Sequence, residues 1–350
     1  MADVGRVGLL WALFSLLLLV PTELPAGTLF DSNEPIEVRL TGPFGTLIRN
    51  KKNREELPFM LGVNGSDHEV FIRVRGHSRA RVCEFPPLRL NFKTKSVEDS
   101  VFAGQDKLKL VNLCSVHDRG ETDLLQEYVV YRIFNLITDL SYRVRLLQIN
   151  YVDTDKKLGK KAAGRYGFVI ESAPGFEKRV GTDRQRVRSL MRGTLDTGQA
   201  ALVYVFQYLV ANTDWLVVRA EGVDECCHNG DLYSGDAGLV YVPYDFDLTG
   251  VVNPRYGYPD RSLRISRVTQ RLYRGLCMDR SDLQAALTRI RSLEEEILAI
   301  PQAVPGLPAK RAESTREFLH DFFVEAADEA ALLGRFERDC ITPRYRPVSH

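Results

Sequence analysis

Short apolar runs broken by turn residues open the chain after residue 30. Ile36 to Leu40 and Leu47 to Asn50 read as short strands around Gly42-Pro43 and Gly45, and Val70 to Val74 as a third, alternating strand. The third runs into Arg75-Gly76-His77-Ser78-Arg79-Ala80-Arg81, and Pro86-Pro87 lead into another strand, Leu88 to Phe92. The pattern is strand, basic glycine hairpin loop, strand. Backbone donors at Gly76 and Ser78 beside three arginines suit a phosphate, and they equally suit a solvated hairpin. In Lys107-Leu-Lys-Leu-Val-Asn112 a period of two puts Leu108 and Leu110 on one face and Lys107 and Lys109 on the other.

From Glu121 to Thr138 the spacing turns helical, with Leu124, Tyr128 and Tyr131 on one stripe and Glu127 inside it. A carboxylate on an apolar face needs a partner: either a lysine of the preceding strand meets it, or the glutamate snorkels at the stripe's edge. Arg143 to Val152 and Tyr166 to Glu171 read as strands, the second giving way at Ser-Ala-Pro-Gly175 to turn residues that mark a lobe boundary. Arg184 to Arg192 is basic and polar, a solvated helix or loop. Ala200 to Ala211 is apolar almost all round, the mark of a buried helix, and delivers Asn212-Thr-Asp214-Trp215 at its exit.

An irregular stretch then leads to His228-Asn229, and short strands at Asp231 to Tyr233 and Leu239 to Tyr244 follow. The second ends in Asp245-Phe-Asp247, with Gly250 close behind. Positions i and i+2 of an extended chain share a face, so Asp245 and Asp247 offer two hard oxygen ligands suited to Mg²⁺, or else cap a turn. Leu283 to Leu298 and Arg316 to Leu333 have helical patterns separated by Pro301 to Pro308, and the tail from Thr342 reads as frayed.

Composition narrows the class. With 44% hydrophobic and 27% charged residues in 350, and a net charge of +1, the chain reads as globular and without a general nucleic-acid-binding surface. Residues 1–27 stand apart: Arg6 precedes an uncharged apolar run of 14 residues from Val7 to Val20, then Pro21, Pro25, Ala26 and Gly27. That is a signal peptide's layout. A bilayer span takes about 20 residues, so cleavage near Ala26 or Gly27 is expected, leaving a secreted or periplasmic protein without a stable membrane span. Six cysteines then fall in an oxidising compartment. The expected pairs are Cys83 with Cys114 and Cys227 with Cys277, adjacent cysteines rarely bonding each other. Cys226-Cys227-His228 lacks the C-x-x-C spacing of zinc sites and supplies a zinc-enzyme alternative. Asn64-Gly-Ser66 matches a glycosylation acceptor for a eukaryotic source.

Taken in order, a glycine hairpin, a lysine strand, a helix with an inward glutamate, a strand ending at a hinge, then aspartate, asparagine and aspartate form the part order of a protein kinase. The stretch from about Phe71 to Gly250 resembles the spore-coat protein H (CotH) family of atypical kinases, most nearly its uncharacterised secreted bacterial relatives. The matching pieces are Arg75-Gly76-His77-Ser78, Lys107-Leu-Lys-Leu, Leu125-Gln-Glu127-Tyr, Glu171, Asp214-Trp215, Asn229 and Asp245-Phe-Asp247.

That resemblance implies an α+β, two-lobed protein-kinase-like fold: a small β-rich N-lobe over residues 28–171 that covers nucleotide, and a larger, mostly helical C-lobe over 172–341. It implies ATP and Mg²⁺, with γ-phosphoryl transfer to a protein or small-molecule hydroxyl. Asp214 would be the base, Asn229 and Asp245 metal ligands and Asp247 an extra one. Gly76, Ser78 and Lys107 or Lys109 would hold phosphates, Lys107 fitting the family's spacing before the Leu-x-Leu better; Glu127 would pair with one of the lysines, and Glu171 would lie beside adenine. Two departures stand out. Asp214 and Asn229 are fifteen positions apart instead of five, and Asn212-Thr213 replace the histidine that usually precedes the aspartate. The alternative is an inactive kinase-fold envelope or surface protein that binds a ligand or partner in the same cleft.

Overall fold

The computed structural model of the protein describes residues 29–76, 78–115, 118–158, 164–187, 190, 193–217 and 226–342. The expected leader, His77, part of the basic stretch 184–192, most of the segment before Cys226 and the tail beyond Thr342 lie outside the described residues.

Alternation decides the first half. In β1 (Ile36–Gly42), β2 (Leu57–Val63), β3 (Ser66–Val74), β4 (Leu88–Phe92), β5 (Lys107–Asn112), β6 (Val144–Asp153) and β7 (Arg165–Ile170) alternate side chains, most of them apolar, point into one interior. Val38, Phe59, Ile72, Leu90, Leu110 and Ile149 meet there, all nearly inaccessible to water. The strands close into a barrel in the order β1-β2-β3-β4-β5-β7-β6. All neighbours run antiparallel except β1 and β6, which close the cylinder in parallel with Ile36 opposite Leu147 and Gly42 opposite Asp153.

This closure corrects the fold expected from sequence. A kinase-like small lobe is an open sheet beside a helical second lobe; here β1 takes two partners and leaves the seven strands without a free side. The expected strand Leu47 to Asn50 is instead the last turn of α1 (Phe44–Arg49) with its C-cap, and β2 has no sequence counterpart because Pro58 and Gly62 interrupt its apolar run. Nor does the rest form a mostly helical lobe. A three-stranded sheet in the order β10-β9-β8 (β8 Arg184–Gln185, β9 Gly230–Gly235, β10 Gly238–Pro243) sits within it.

α3 (Asp118–Ile137) lies outside the barrel. The outward residues of the wall, Val111, Leu146, Phe168 and Ile170, pack with Leu125, Val129 and Phe134 of α3 in a second core. That core continues through α5 (Thr197–Leu209), which is buried all round as its composition predicts, to Phe336. Asp196 caps α5 by accepting a hydrogen bond from Gln199 N. The C-terminal helices are α6 (Arg280–Arg291), α7 (Glu294–Ala303), α8 (Ala309–Ala326) and α9 (Glu329–Asp339), so each of the two long helices expected is broken in two. Between β7 and β8 stands α4 (Ala173–Val180), capped by Ser172.

Disulfides join Cys83 to Cys114, Cys226 to Cys227 and Cys277 to Cys340. The first is the expected pair. The expected Cys227–Cys277 bridge is replaced: Cys277 meets Cys340 where residue 276 bridges residue 341, and the adjacent cysteines bond each other.

Candidate functional site

The segment after β3 is not a plain hairpin. Gly76 takes a left-handed φ of 84°, and Ser78 then opens α2 (Ser78–Val82), a single short helix that turns Arg79 inward. The Arg79 side chain is 10% exposed and gathers three carboxylates. Its Nη1 donates to Glu127 Oε2 at 3.0 Å, its Nη2 meets Asp245 Oδ1, and its Nε stands 3.3 Å from Asp247 Oδ2. The inward glutamate of α3 therefore has a cation partner, and it is Arg79, where a lysine of β5 was expected. A planar guanidinium with several donors satisfies three carboxylates at once, which an ammonium does less well.

Burial raises every carboxyl of this group, and the neighbouring charges decide the outcome for each. Glu127 is raised by desolvation, against the pull of Arg79. Asp247, likewise desolvated and with Asp245 and Glu127 beside it, is pushed up to about 8 and accepts a hydrogen bond from Tyr256 OH at 3.0 Å. Asp245 resists burial: Arg79, Arg75 and Lys109 hold its carboxyl below the usual range. Exposure separates the two aspartates as well, since the side chain of Asp245 is 37% exposed and that of Asp247 only 9%.

Asp245 leaves β10 in a left-handed conformation (φ 63°), with its N–H donating to Tyr131 OH at 2.9 Å. Across the hairpin Asn229 is left-handed too (φ 52°), and both residue types tolerate that region better than most. Gly230 pairs with Pro243, and Tyr244 N donates to Asn229 O at 3.0 Å, so the two side chains leave the same end of the hairpin.

Asp214 joins them from the exit of α5. Asn229 Nδ2 donates to Asp214 Oδ2 at 2.9 Å and to its carbonyl at 2.7 Å. The fifteen-residue gap thus brings the expected base and the expected amide together. His228 Nε2 lies 3.0 Å from Asp214 Oδ1, and that hydrogen bond raises the histidine above its ordinary range. His228 reaches the aspartate from the far end of the gap, a contact that its place in Cys226-Cys227-His228 does not announce. Among the described residues no group of three or more His, Cys, Asp or Glu side chains is disposed to hold a metal ion by itself.

Of the phosphate-side residues, Lys109 points to this site and Lys107 does not. Lys109 Nζ lies 4.2 Å from the centroid of Tyr244, and burial, helped by Arg75, lowers the amine to about 8. Lys107 is exposed and pairs with Asp106. Arg75 carries an Nε that is buried without a hydrogen-bond partner among the described residues. Gly76 O accepts from Arg54, and Ser78 is exposed at the start of α2. The Glu171 carboxylate is taken up by Arg179, at 2.9 Å on each oxygen, and by Arg143 N at 3.1 Å. A cavity of about 720 Å³ lies away from all of these, on the outer wall of β1, β2 and β6 by Glu37, Arg39 and Asn150.

The oxygens open to a cation are few. Asn229 Oδ1 and Asp245 Oδ2 accept no hydrogen bond among the described residues, while both Asp214 oxygens are engaged. One amide oxygen and one ionised carboxylate suit Mg²⁺, which keeps most of its shell as water or phosphate oxygen. The loop arginines are legible as candidate phosphate ligands and His228 as a candidate zinc ligand, whereas the inward turn of Arg79 onto three carboxylates and the contact of His228 with Asp214 have no local signal. No protein-family model matches the chain, and no curated protein matches it.

Proposed function

We propose that the protein is an ATP-dependent phosphotransferase of the kind implied by the resemblance to the spore-coat protein H family, working outside the cytoplasm on a hydroxyl acceptor. The supporting observation is that Asp214 contacts Asn229 at the end of the β9–β10 hairpin from which Asp245 also emerges, with the cations Arg79, Arg75 and Lys109 beside Asp245. In-line phosphoryl transfer asks a protein for positioning and charge stabilisation above all, and this arrangement offers both signs of charge in one place.

In this reading Lys109 and Arg75 hold the phosphates, Arg75 gaining the partner that its buried Nε lacks. Asn229 and Asp245 hold Mg²⁺, which neutralises phosphate charge when bound. Asp214 accepts the proton of the attacking hydroxyl, and its contacts with Asn229 and His228 fix the carboxylate's direction. Asp247 and Glu127 anchor Arg79. The disulfides fit an oxidising compartment, and among the described residues no helix is long and apolar enough to cross a membrane.

The test is a melting-temperature titration with ATP, with and without Mg²⁺, joined to a phosphoryl-transfer assay. Wild type should be stabilised by the pair together; Asp245→Ala should lose the metal-dependent part, and Asp214→Ala should keep binding and lose transfer. No shift at millimolar nucleotide, or equal transfer by wild type and Asp214→Ala, overturns the proposal.

A further inference from the structure

We infer that the loop running from Val251 to Met278 is the docking surface for an acidic polypeptide, the acceptor in the phosphotransferase reading on which this inference rests. The loop carries six arginines against the single acid Asp260, a net of +5 in a chain whose total is +1. Basic charge is therefore concentrated here, and the rest of the molecule is acidic on balance.

Four of these arginines, Arg255, Arg261, Arg264 and Arg267, are exposed and form no ion pair among the described residues. Elsewhere on this surface arginine is commonly paired: Arg280 with Glu337, Arg291 with Glu329, Arg316 with Glu313 and Arg335 with Glu325. The loop thus presents guanidinium forks with free donors, the geometry that carboxylates fill with two parallel hydrogen bonds.

Its anchors place it over the candidate site. At its start Tyr256 OH donates to Asp247 Oδ2 at 3.0 Å, and near its end Arg274 Nη1 donates to Thr213 O, one residue before Asp214. Arg261, Arg264 and Arg267 therefore lie between a tether at the Asp247 side and a tether at the Asp214 side, with Arg255 immediately before the first tether. Tyr258, among them, is 80% exposed, the most exposed large hydrophobic side chain among the described residues. An exposed aromatic amid arginines is the composition that binding hot spots favour.

Polypeptide is the occupant these features fit. The free cations span thirteen positions, from Arg255 to Arg267, so one small anion would satisfy only a part of them, and the exposed Tyr258 offers an apolar contact that side chains of a peptide supply. A hydroxyl of such a peptide, flanked by Asp or Glu, would reach Asp214 from the loop side.

The experiment is fluorescence anisotropy on the full chain with two labelled serine peptides of equal length, one flanked by glutamates and one by lysines, at about 0.05 and about 0.5 M salt. The wild type should bind the acidic peptide at least about tenfold more tightly at low salt, a difference of about 1.4 kcal/mol, and lose most of that preference at high salt. The variant Arg255→Glu, Arg261→Glu, Arg264→Glu, Arg267→Glu should reverse the preference without a change in melting temperature, since all four side chains are exposed. Equal affinity for both peptides, preference for the basic one, unchanged acidic-peptide binding by the variant, or tighter binding of a labelled single-stranded oligonucleotide than of the acidic peptide would each overturn the inference. Acidic peptide that binds as expected yet receives no phosphoryl group from ATP overturns the phosphotransferase reading and leaves the docking surface standing.

Discussion

Arg79 and Glu127 stand 48 residues apart in the chain and meet at 3.0 Å, both almost wholly removed from water. The contact ties α2, which follows the glycine loop, to the middle of the helix outside the barrel. Because the same guanidinium also faces Asp245 and Asp247, its orientation sets that of the candidate site.

Removing one side of such a buried cluster leaves uncompensated charge. Arg79→Met should therefore lower the unfolding free energy by about 3–5 kcal/mol, read as a fall in the denaturant midpoint. Arg79→Lys should recover part of it, since it restores the charge and not the fork. A loss below about 1 kcal/mol, the range of exposed pairs, would show that the cluster is solvated.

Lys109 gives a pH signature. Its amine falls to about 8 in the folded chain, mainly through burial, against the ordinary 10.5. Between these values the unfolded chain binds more protons, so the stability contributed here is complete above about 10.5 and is lost as pH falls through about 8. The stem is partly exposed, which limits the effect to about 1–2 kcal/mol. Lys109→Met should flatten the stability curve over that window. In wild type, Lys109 should also be the lysine acylated fastest at pH about 8, because a larger share of it is unprotonated, as peptide mapping would register.

The three disulfides leave no free cysteine. Thiol titration of the unreduced, unfolded protein should give none, and six after reduction. Cys83→Ala opens a bridge with a sequence separation of 31, for which chain entropy predicts a loss of about 3–4 kcal/mol. Calorimetry on the variant checks the figure.

Gly230 lies next to Asn229 at the end of β9, where a Cβ would run into the ring of Tyr241. That ring packs near Trp215, so it has little room to yield. Gly230→Ala should cost about 1–3 kcal/mol by overpacking and should weaken metal-dependent nucleotide stabilisation more than Gly65→Ala, at an open hairpin tip. Equal effects from the two substitutions would contradict the placement of Asn229.

Much of the local structure was readable. The period of two in Lys107 to Asn112 marks Leu108 and Leu110 as entering the barrel and Lys109 as facing out of it, and the all-round apolar run before Ala211 marks a buried helix. Glu127, inside an apolar stripe, announces a partner. Its identity stayed hidden because Arg79 looks like any loop arginine until α2 turns it inward. Barrel closure was not readable either: β1 and β6 pair across more than a hundred residues, and nothing local in Ile36 to Leu40 says that the strand has neighbours on both sides. Asp214 and Asn229 were readable as separate candidates; their contact depends on a return of the chain that spacing alone does not reveal.

A closed barrel also governs how this protein meets others. Each of its seven strands has a neighbour on both sides, so an incoming chain finds no free edge strand beside which to add one of its own. Recognition on that half must proceed through side chains and loop ends, and strand-by-strand aggregation is closed off there. The small sheet is different, since its outer strand β8 spans only two residues, Arg184 and Gln185, which pair with Tyr233 and Leu232 of β9.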